Sequence, residues 1–163
     1  MQYAIVYSSQ TGNGKLLAET IYEHLGDKDC VYIGGIGALD YKALKAQRIY
    51  VGFWTDKGQC DIVTETYLKN LRDKEIFLFG TAGYGGDEYL NNVLKRSEEF
   101  IDSSNTVVGS FICQGRMPAS VKERYDKLAL TNKVPNIDEL IANYEAALSH
   151  PDENDLKALK AKL

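Results

Sequence analysis

Four short, nearly unbroken apolar runs punctuate the first 113 residues: Tyr3-Ala4-Ile5-Val6-Tyr7, Ile49-Tyr50-Val51-Gly52-Phe53-Trp54, Ile76-Phe77-Leu78-Phe79-Gly80 and Val107-Val108-Gly109-Ser110-Phe111-Ile112-Cys113. Runs of this length, rich in β-branched and aromatic residues, predict strands buried on both faces of a parallel sheet. Cys30-Val31-Tyr32-Ile33 is shorter and predicts an edge strand. Between the runs the apolar spacing turns helical. Leu17, Ile21 and Leu25 lie four apart, as do Val63, Tyr67 and Leu71 after Asp61. Leu90, Val93, Leu94, Ser97 and Ile101 follow Asp87. Asp61 and Asp87 are placed as helix N-caps. Residues 40–47 have room for one helical turn or two. Strands alternating with helices predict a three-layer, doubly wound α/β fold with a five-stranded parallel sheet.

Beyond Cys113 the strand signal stops. Val121, Tyr125 and Leu128 predict one helix, and Ile137, Leu140, Ile141, Tyr144 and Leu148 a second. Pro151 breaks it, and Leu156, Leu159 and Leu163 predict a third. No linker or repeat interrupts the chain. Residues 1–163 therefore read as a single domain whose 114–163 part is helical.

At 163 residues and 44% hydrophobic, the chain suits one core and is no disordered or disulfide-stapled protein. No apolar run approaches the ~20 residues that span a bilayer. The first residues lack a basic, cleavable leader. The expectation is a cytoplasmic protein without membrane insertion. Cys30, Cys60 and Cys113 form no C-x-x-C pair and read as reduced packing thiols, with Cys60 in a loop and open to reaction. Two histidines, His24 and His150, read as surface residues, so no zinc site or catalytic triad is expected.

The net charge of −4 argues against nucleic acid. Residues 1–113 hold 11 lysines and arginines against 15 acids, whereas residues 114–163 are balanced. The acidity therefore lies with the part that carries the chemistry.

In open parallel sheets ligands bind beyond the carboxyl ends of the strands. Three unusual loops fall there. Ser8-Ser9-Gln10-Thr11-Gly12-Asn13-Gly14-Lys15 joins the first strand to a helix, and read as an ordinary Gly/Asn-rich turn it would have Thr11 as N-cap. Its hydroxyls, backbone amides and helix N-terminus suit a phosphate. Neither the P-loop spacing nor G-x-G-x-x-G is present. Trp54, the sole tryptophan, precedes the polar loop Thr55-Asp56-Lys57-Gly58-Gln59-Cys60-Asp61. The third loop, Gly80-Thr81-Ala82-Gly83-Tyr84-Gly85-Gly86-Asp87-Glu88-Tyr89, pairs four glycines with two tyrosines. A phosphate cradle and two aromatic, glycine-containing loops on one edge suit a phosphorylated, flat cofactor.

Thr11-Gly12-Asn13, set in Ser9–Asn13 after the first strand, with Trp54 and Tyr84 beyond, resembles the flavodoxin family over residues 1–113. The resemblance implies strand order 2-1-3-4-5 and FMN as cofactor. It implies phosphate contacts from Ser9, Gln10, Thr11, Gly12, Asn13 and Gly14. It makes Trp54 the inner and Tyr84 the outer ring, with Tyr89 the alternative outer ring. Backbone groups of Thr55, Thr81, Ala82, Gly83 and Gly85 would meet the polar edge of the flavin. Three departures stand out. Gly14 replaces a common Thr or Ser, leaving backbone N–H groups, with Lys15 as a further candidate, to compensate. Ala82-Gly83 replaces a common acid. Cys113-Gln114-Gly115-Arg116-Met117 lies outside the family pattern, either at the rim of the site with Arg116 near the flavin or as a polar turn.

The resemblance implies an electron carrier between a reductase and an acceptor enzyme, a monomer whose redox partners dock at an acidic rim. Asp56, Asp61, Asp87 and Glu88 would lower the potential for full flavin reduction, opposed by Lys57 and Arg116. Two alternatives remain on the same fold: a small NAD(P)H-quinone or nitro reductase, and a cofactor-free interaction module. A phospho-receiver domain is excluded, because Ser8-Ser9-Gln10 and Trp54 stand where it needs acids.

Overall fold

The computed structural model describes residues 1–37 and 41–163. Its elements run β1 (Tyr3–Tyr7), α1 (Asn13–Leu25), β2 (Cys30–Gly35), a 3-10 turn (Ala43–Lys45), β3 (Arg48–Asp56), β4 (Gln59–Cys60) and α2 (Ile62–Asn70). There follow β5 (Glu75–Ala82), α3 (Asp87–Glu98), β6 (Thr106–Gln114), α4 (Ala119–Ala129), α5 (Ile137–Ala147) and α6 (Glu153–Lys160). Of the helical turn expected at 40–47, position 40 lies outside the described residues and the rest holds the single 3-10 turn.

Five strands lie parallel in the order β2-β1-β3-β5-β6. Counting the parallel strands alone, this is the 2-1-3-4-5 order. A sixth strand, β4, pairs antiparallel with β3 in the segment that the sequence reads as a loop. Successive residues of the central strands point to opposite faces. Ala4, Val6, Val51, Phe53, Ile76 and Leu78 pack under α2 and α3 with Leu68 and Val93. Ile5, Tyr50, Phe77 and Phe79 pack on the other face with Leu17 and Ile21 of α1 and Leu159 of α6. These are the three layers that both-face apolar runs require.

Two glycines fit the strands together. Gly52 sits opposite Phe79, and a Cβ there would lie 2.5 Å from the Phe79 ring. Gly80 sits opposite Phe53, where a Cβ would lie 2.4 Å from that ring. Each ring fills the hollow left by the glycine on the neighbouring strand.

Several expectations need correction. The N-cap of α1 is Gly12 at φ +87°, not Thr11. Gly86, at φ +97°, caps α3, and Asp87 is instead the first helical residue, where its charge still favours the helix dipole. Asp61 does cap α2. Val63, assigned to the buried stripe, is 48% exposed, because the face of α2 that meets the sheet is carried by Thr64, Tyr67 and Leu68. Ile101 lies beyond the end of α3. The three C-terminal helices are all present, with α4 and α5 packed around their own small cluster of Tyr125, Ile137 and Tyr144. Among the described residues no helix is long and apolar enough to cross a membrane.

Candidate functional site

The three loops do meet at the carboxyl edge of the sheet. The first is held by Ser8 N–H, which donates to the Gly52 carbonyl at 2.9 Å. Ser9 Oγ accepts from Gly12 N–H at 3.1 Å, and the left-handed conformation of Gly12 turns the chain into α1. The first intrahelical bond runs from Leu16 N–H to the Gly12 carbonyl at 3.0 Å. The amides of Asn13, Gly14 and Lys15 thus lie ahead of it with no helical partner, and no acid stands in that first turn. A Cβ on Gly14 would press to 3.1 Å from the Ser8 carbonyl oxygen, so the glycine allows the tight turn. Lys15 does not replace the missing hydroxyl. Its Nζ lies 3.9 Å from Glu19, on the exposed flank of α1.

The second loop is a hairpin. Lys57 (φ +54°) and Gly58 (φ +81°) form a two-residue turn with both residues left-handed, and Gln59-Cys60 return along β3. Trp54 is half-buried at the end of β3, opposite Thr81 of β5. Thr55 Oγ1 donates to the Thr81 carbonyl at 2.7 Å. Asp61 does not belong to the acidic rim. It is buried and accepts from Trp54 N–H, Thr64 N–H and Thr64 Oγ1, so its charge is spent on the hairpin and the α2 cap. Cys60 is likewise buried rather than open to reaction, and desolvation pushes its thiol up to about 11.

In the third loop Thr81 and Ala82 are buried, and Gly83 is half-buried beneath Met117. Tyr84 is 39% exposed. Its ring meets Tyr89 edge-on with centroids 5.8 Å apart, and its hydroxyl lies 3.0 Å from that of Tyr125 on α4. Burial, then the Tyr84 hydroxyl, push Tyr125 up to about 12. Gly85 is exposed and faces the Gln114 side chain.

A fourth segment, Gly115–Pro118, crosses between the first and third loops. Gly115 N–H donates to the Ala82 carbonyl at 2.9 Å. The Arg116 carbonyl accepts from Asn13 Nδ2 at 2.9 Å and from Thr11 Oγ1 at 3.3 Å. The Arg116 guanidinium turns away, donating to the Leu148 carbonyl at 3.2 Å. Main chain, not the charge, is what this segment brings to the site. Only its departure from the family pattern marks it in the sequence. The side chains that hold the Gly83 carbonyl next to it, Gln114 and Asn143, carry no spacing that predicts the role.

A small cavity of about 50 Å³ joins Gln10, Thr11, Asn13, Trp54, Thr55, Thr81, Ala82 and Gly83 to this strap. It unites most of the expected residues. Ser9, Gly12 and Gly14 shape the adjoining turn, and Tyr84 and Gly85 lie outside the lining. A wider apolar groove of about 450 Å³ is lined, among the described residues, by Ile36, Ile62, Val63, Tyr67 and others, with no lysine or arginine in that lining.

Against FMN, the cradle fits: open amides, two hydroxyls, a helix N-terminus and no acid in the first turn. The cavity itself holds a few waters at most. A three-ring system would therefore have to lie largely outside this cavity, where Trp54 is half-buried.

The model of the flavodoxin domain matches residues 4–163. A "flavodoxin-like domain-containing protein BilS" of Clostridium symbiosum is 40% identical, over 98% of this chain and 93% of that protein. Oxidised flavodoxin 2 of Bacillus cereus superposes with a TM-score of 0.62 at 16% identity, over 99% of this chain and 94% of that one. A Lactobacillus acidophilus flavoprotein, solved in complex with FMN, gives 0.50 at 19% identity over 69% of this chain and 93% of that one.

Proposed function

The chain belongs to the flavodoxin family, and from that premise we propose that it binds FMN and carries electrons between a reductase and an acceptor enzyme. The observation that carries this reading is the placement of the open, acid-free N-terminus of α1 beside Trp54 on one edge of the sheet. Bound there, FMN would supply the electron chemistry. Ser9 and Thr11 hydroxyls and the amides of Asn13, Gly14 and Lys15 hold the phosphate. Gln10 and Gly12 shape the turn around it. Trp54 covers one ring face, and Tyr84 serves as the outer ring. Main chain at Thr55 and at 81–85 faces the polar edge. Asp56, Asp87 and Glu88 form an acidic rim for charge-steered docking of redox partners on a monomeric carrier. Nucleic acid and membranes have no part in this reading.

The test is a visible-spectrum titration with FMN, followed by stepwise reduction with dithionite. The proposal expects saturable one-to-one binding and a one-electron-reduced absorption band between the oxidised and fully reduced forms. Bleaching in a single two-electron step would overturn the carrier role in favour of a reductase. No binding would overturn the cofactor itself.

A further inference from the structure

Three side chains from outside the 83–85 loop determine its shape. Gln114 ends β6, Asn143 lies on α5 and Tyr125 on α4. Gln114 Nε2 donates to the Gly83 carbonyl at 3.0 Å, and Asn143 Nδ2 donates to the same carbonyl at 3.0 Å. Gln114 Nε2 also donates to Asn143 Oδ1 at 3.1 Å. The carbonyl thus has a donor for each lone pair, and the two amides orient each other. Gly83 is packed as well, since a Cβ there would lie 2.4 Å from Met117 Sδ.

The Gly83–Tyr84 peptide bond is trans. A trans peptide holds its C=O and N–H in one plane, pointing in opposite directions. Turning the Gly83 carbonyl toward α5 therefore turns the Tyr84 N–H away from α5. Gly83 itself lines the cavity with Trp54 and Thr55.

We propose that Gln114 and Asn143 are positioning residues for the cofactor ring, presenting the Tyr84 amide as a donor to the carbonyl edge of the flavin. The inference rests on the FMN reading above. Released from these two side chains, the peptide can rotate and offer an acceptor where the flavin carbonyls need a donor. The α4–α5 hairpin then contributes to the site from a distance. It carries Asn143 and Tyr125, and so sets the geometry of a loop it does not belong to.

The experiment uses Asn143→Asp, Asn143→Leu and the double variant with Gln114→Leu, titrated with FMN and with riboflavin by flavin fluorescence. The amide nitrogen shift of Tyr84 is followed by NMR in the cofactor-free protein. Each single variant should weaken both flavins about threefold and the double variant about tenfold, as expected for the loss of neutral hydrogen bonds. The ratio of FMN to riboflavin affinity should stay constant, because the phosphate cradle is untouched. The Tyr84 signal should move without flavin present. Asn143→Asp keeps the volume while losing the donor, so it reports even if the double variant folds poorly. Unchanged riboflavin affinity in the variants, or a loss confined to FMN, overturns the proposal. Wild-type protein that takes up neither flavin is a distinct result and overturns the functional reading together with it.

Discussion

Gly115 is held between two side chains on which the site depends. A Cβ there would lie 2.5 Å from Asn13 Nδ2 and 2.9 Å from Thr81 Cβ. Gly115→Ala should push the Asn13 amide off the Arg116 carbonyl and destabilise the protein by about 1–3 kcal/mol. Gly35→Ala is the control, since its nearest contact would be 3.9 Å. Urea midpoints should fall clearly for the first and little for the second. The thiols make the second prediction at this scale. Burial pushes Cys60 up to about 11 and Cys113 higher still, and Cys30 is raised as well. Native protein at pH 8 should therefore react slowly with a thiol reagent, and all three groups should react in denaturant. Fast reaction at Cys60 in the native protein would mean that the hairpin opens. In the sequence Cys60 reads as a loop thiol because β4 is only two residues long. The Lys57-Gly58 turn is the signal that points the other way, since glycine at the second turn position is what a tight hairpin favours.

Among the elements, the central strands are legible because they are buried on both faces and therefore apolar throughout. Helix starts are less legible. Asp61 caps α2 as read, but α1 and α3 begin at glycines with positive φ, which carry no side-chain oxygen to mark a cap. The cap of α6 is not among the helix starts read from the sequence, although Asp152 is a residue that favours that position. There Asp152 and Asp155 form a reciprocal capping box, with Asp152 accepting from Asp155 N–H at 3.0 Å. That bond first, then His150, holds the Asp152 carboxyl below its usual range. A depressed carboxylate contributes stability that is present above the unfolded value of about 3.9 and is lost as pH falls through the folded value. Asp152→Asn should therefore lower the melting temperature at pH 7 and leave it nearly unchanged near pH 3. Equal losses at both pH values would assign the effect to packing instead. Of the site, the residues that would touch the cofactor are legible as glycine-rich and aromatic loops. Their supports are not, because Gln114 and Asn143 act through one carbonyl brought together by the fold.

Across the whole molecule, burial is uneven. The two faces of the sheet carry the large clusters around Val51, Phe53 and Leu78 and around Ile5, Phe77 and Phe79. The α4–α5 hairpin has a small buried cluster of Tyr125, Ile137 and Tyr144, with Ala147 buried besides, and Leu130 at its turn is 86% exposed. Local opening follows local burial, so the hairpin should open at a lower free energy than the sheet. It is tied to the rest through polar contacts: the Tyr84–Tyr125 hydroxyl pair, the bond from Asn143 to Gly83, and the Arg116 bonds to Leu148 and His150. α6 differs, because Leu159 is fully buried against the face that α1 covers. Native-state hydrogen exchange should thus release α4 and α5 first, α6 later, and β1, β3 and β5 only with global unfolding. Tyr125→Phe removes one tie without changing the cluster, and should speed exchange in α4 while leaving the central strands untouched. Uniform protection across α4, α5 and the sheet would mean that the hairpin belongs to the main cooperative unit, and the polar ties would then count for more than the small cluster beneath them.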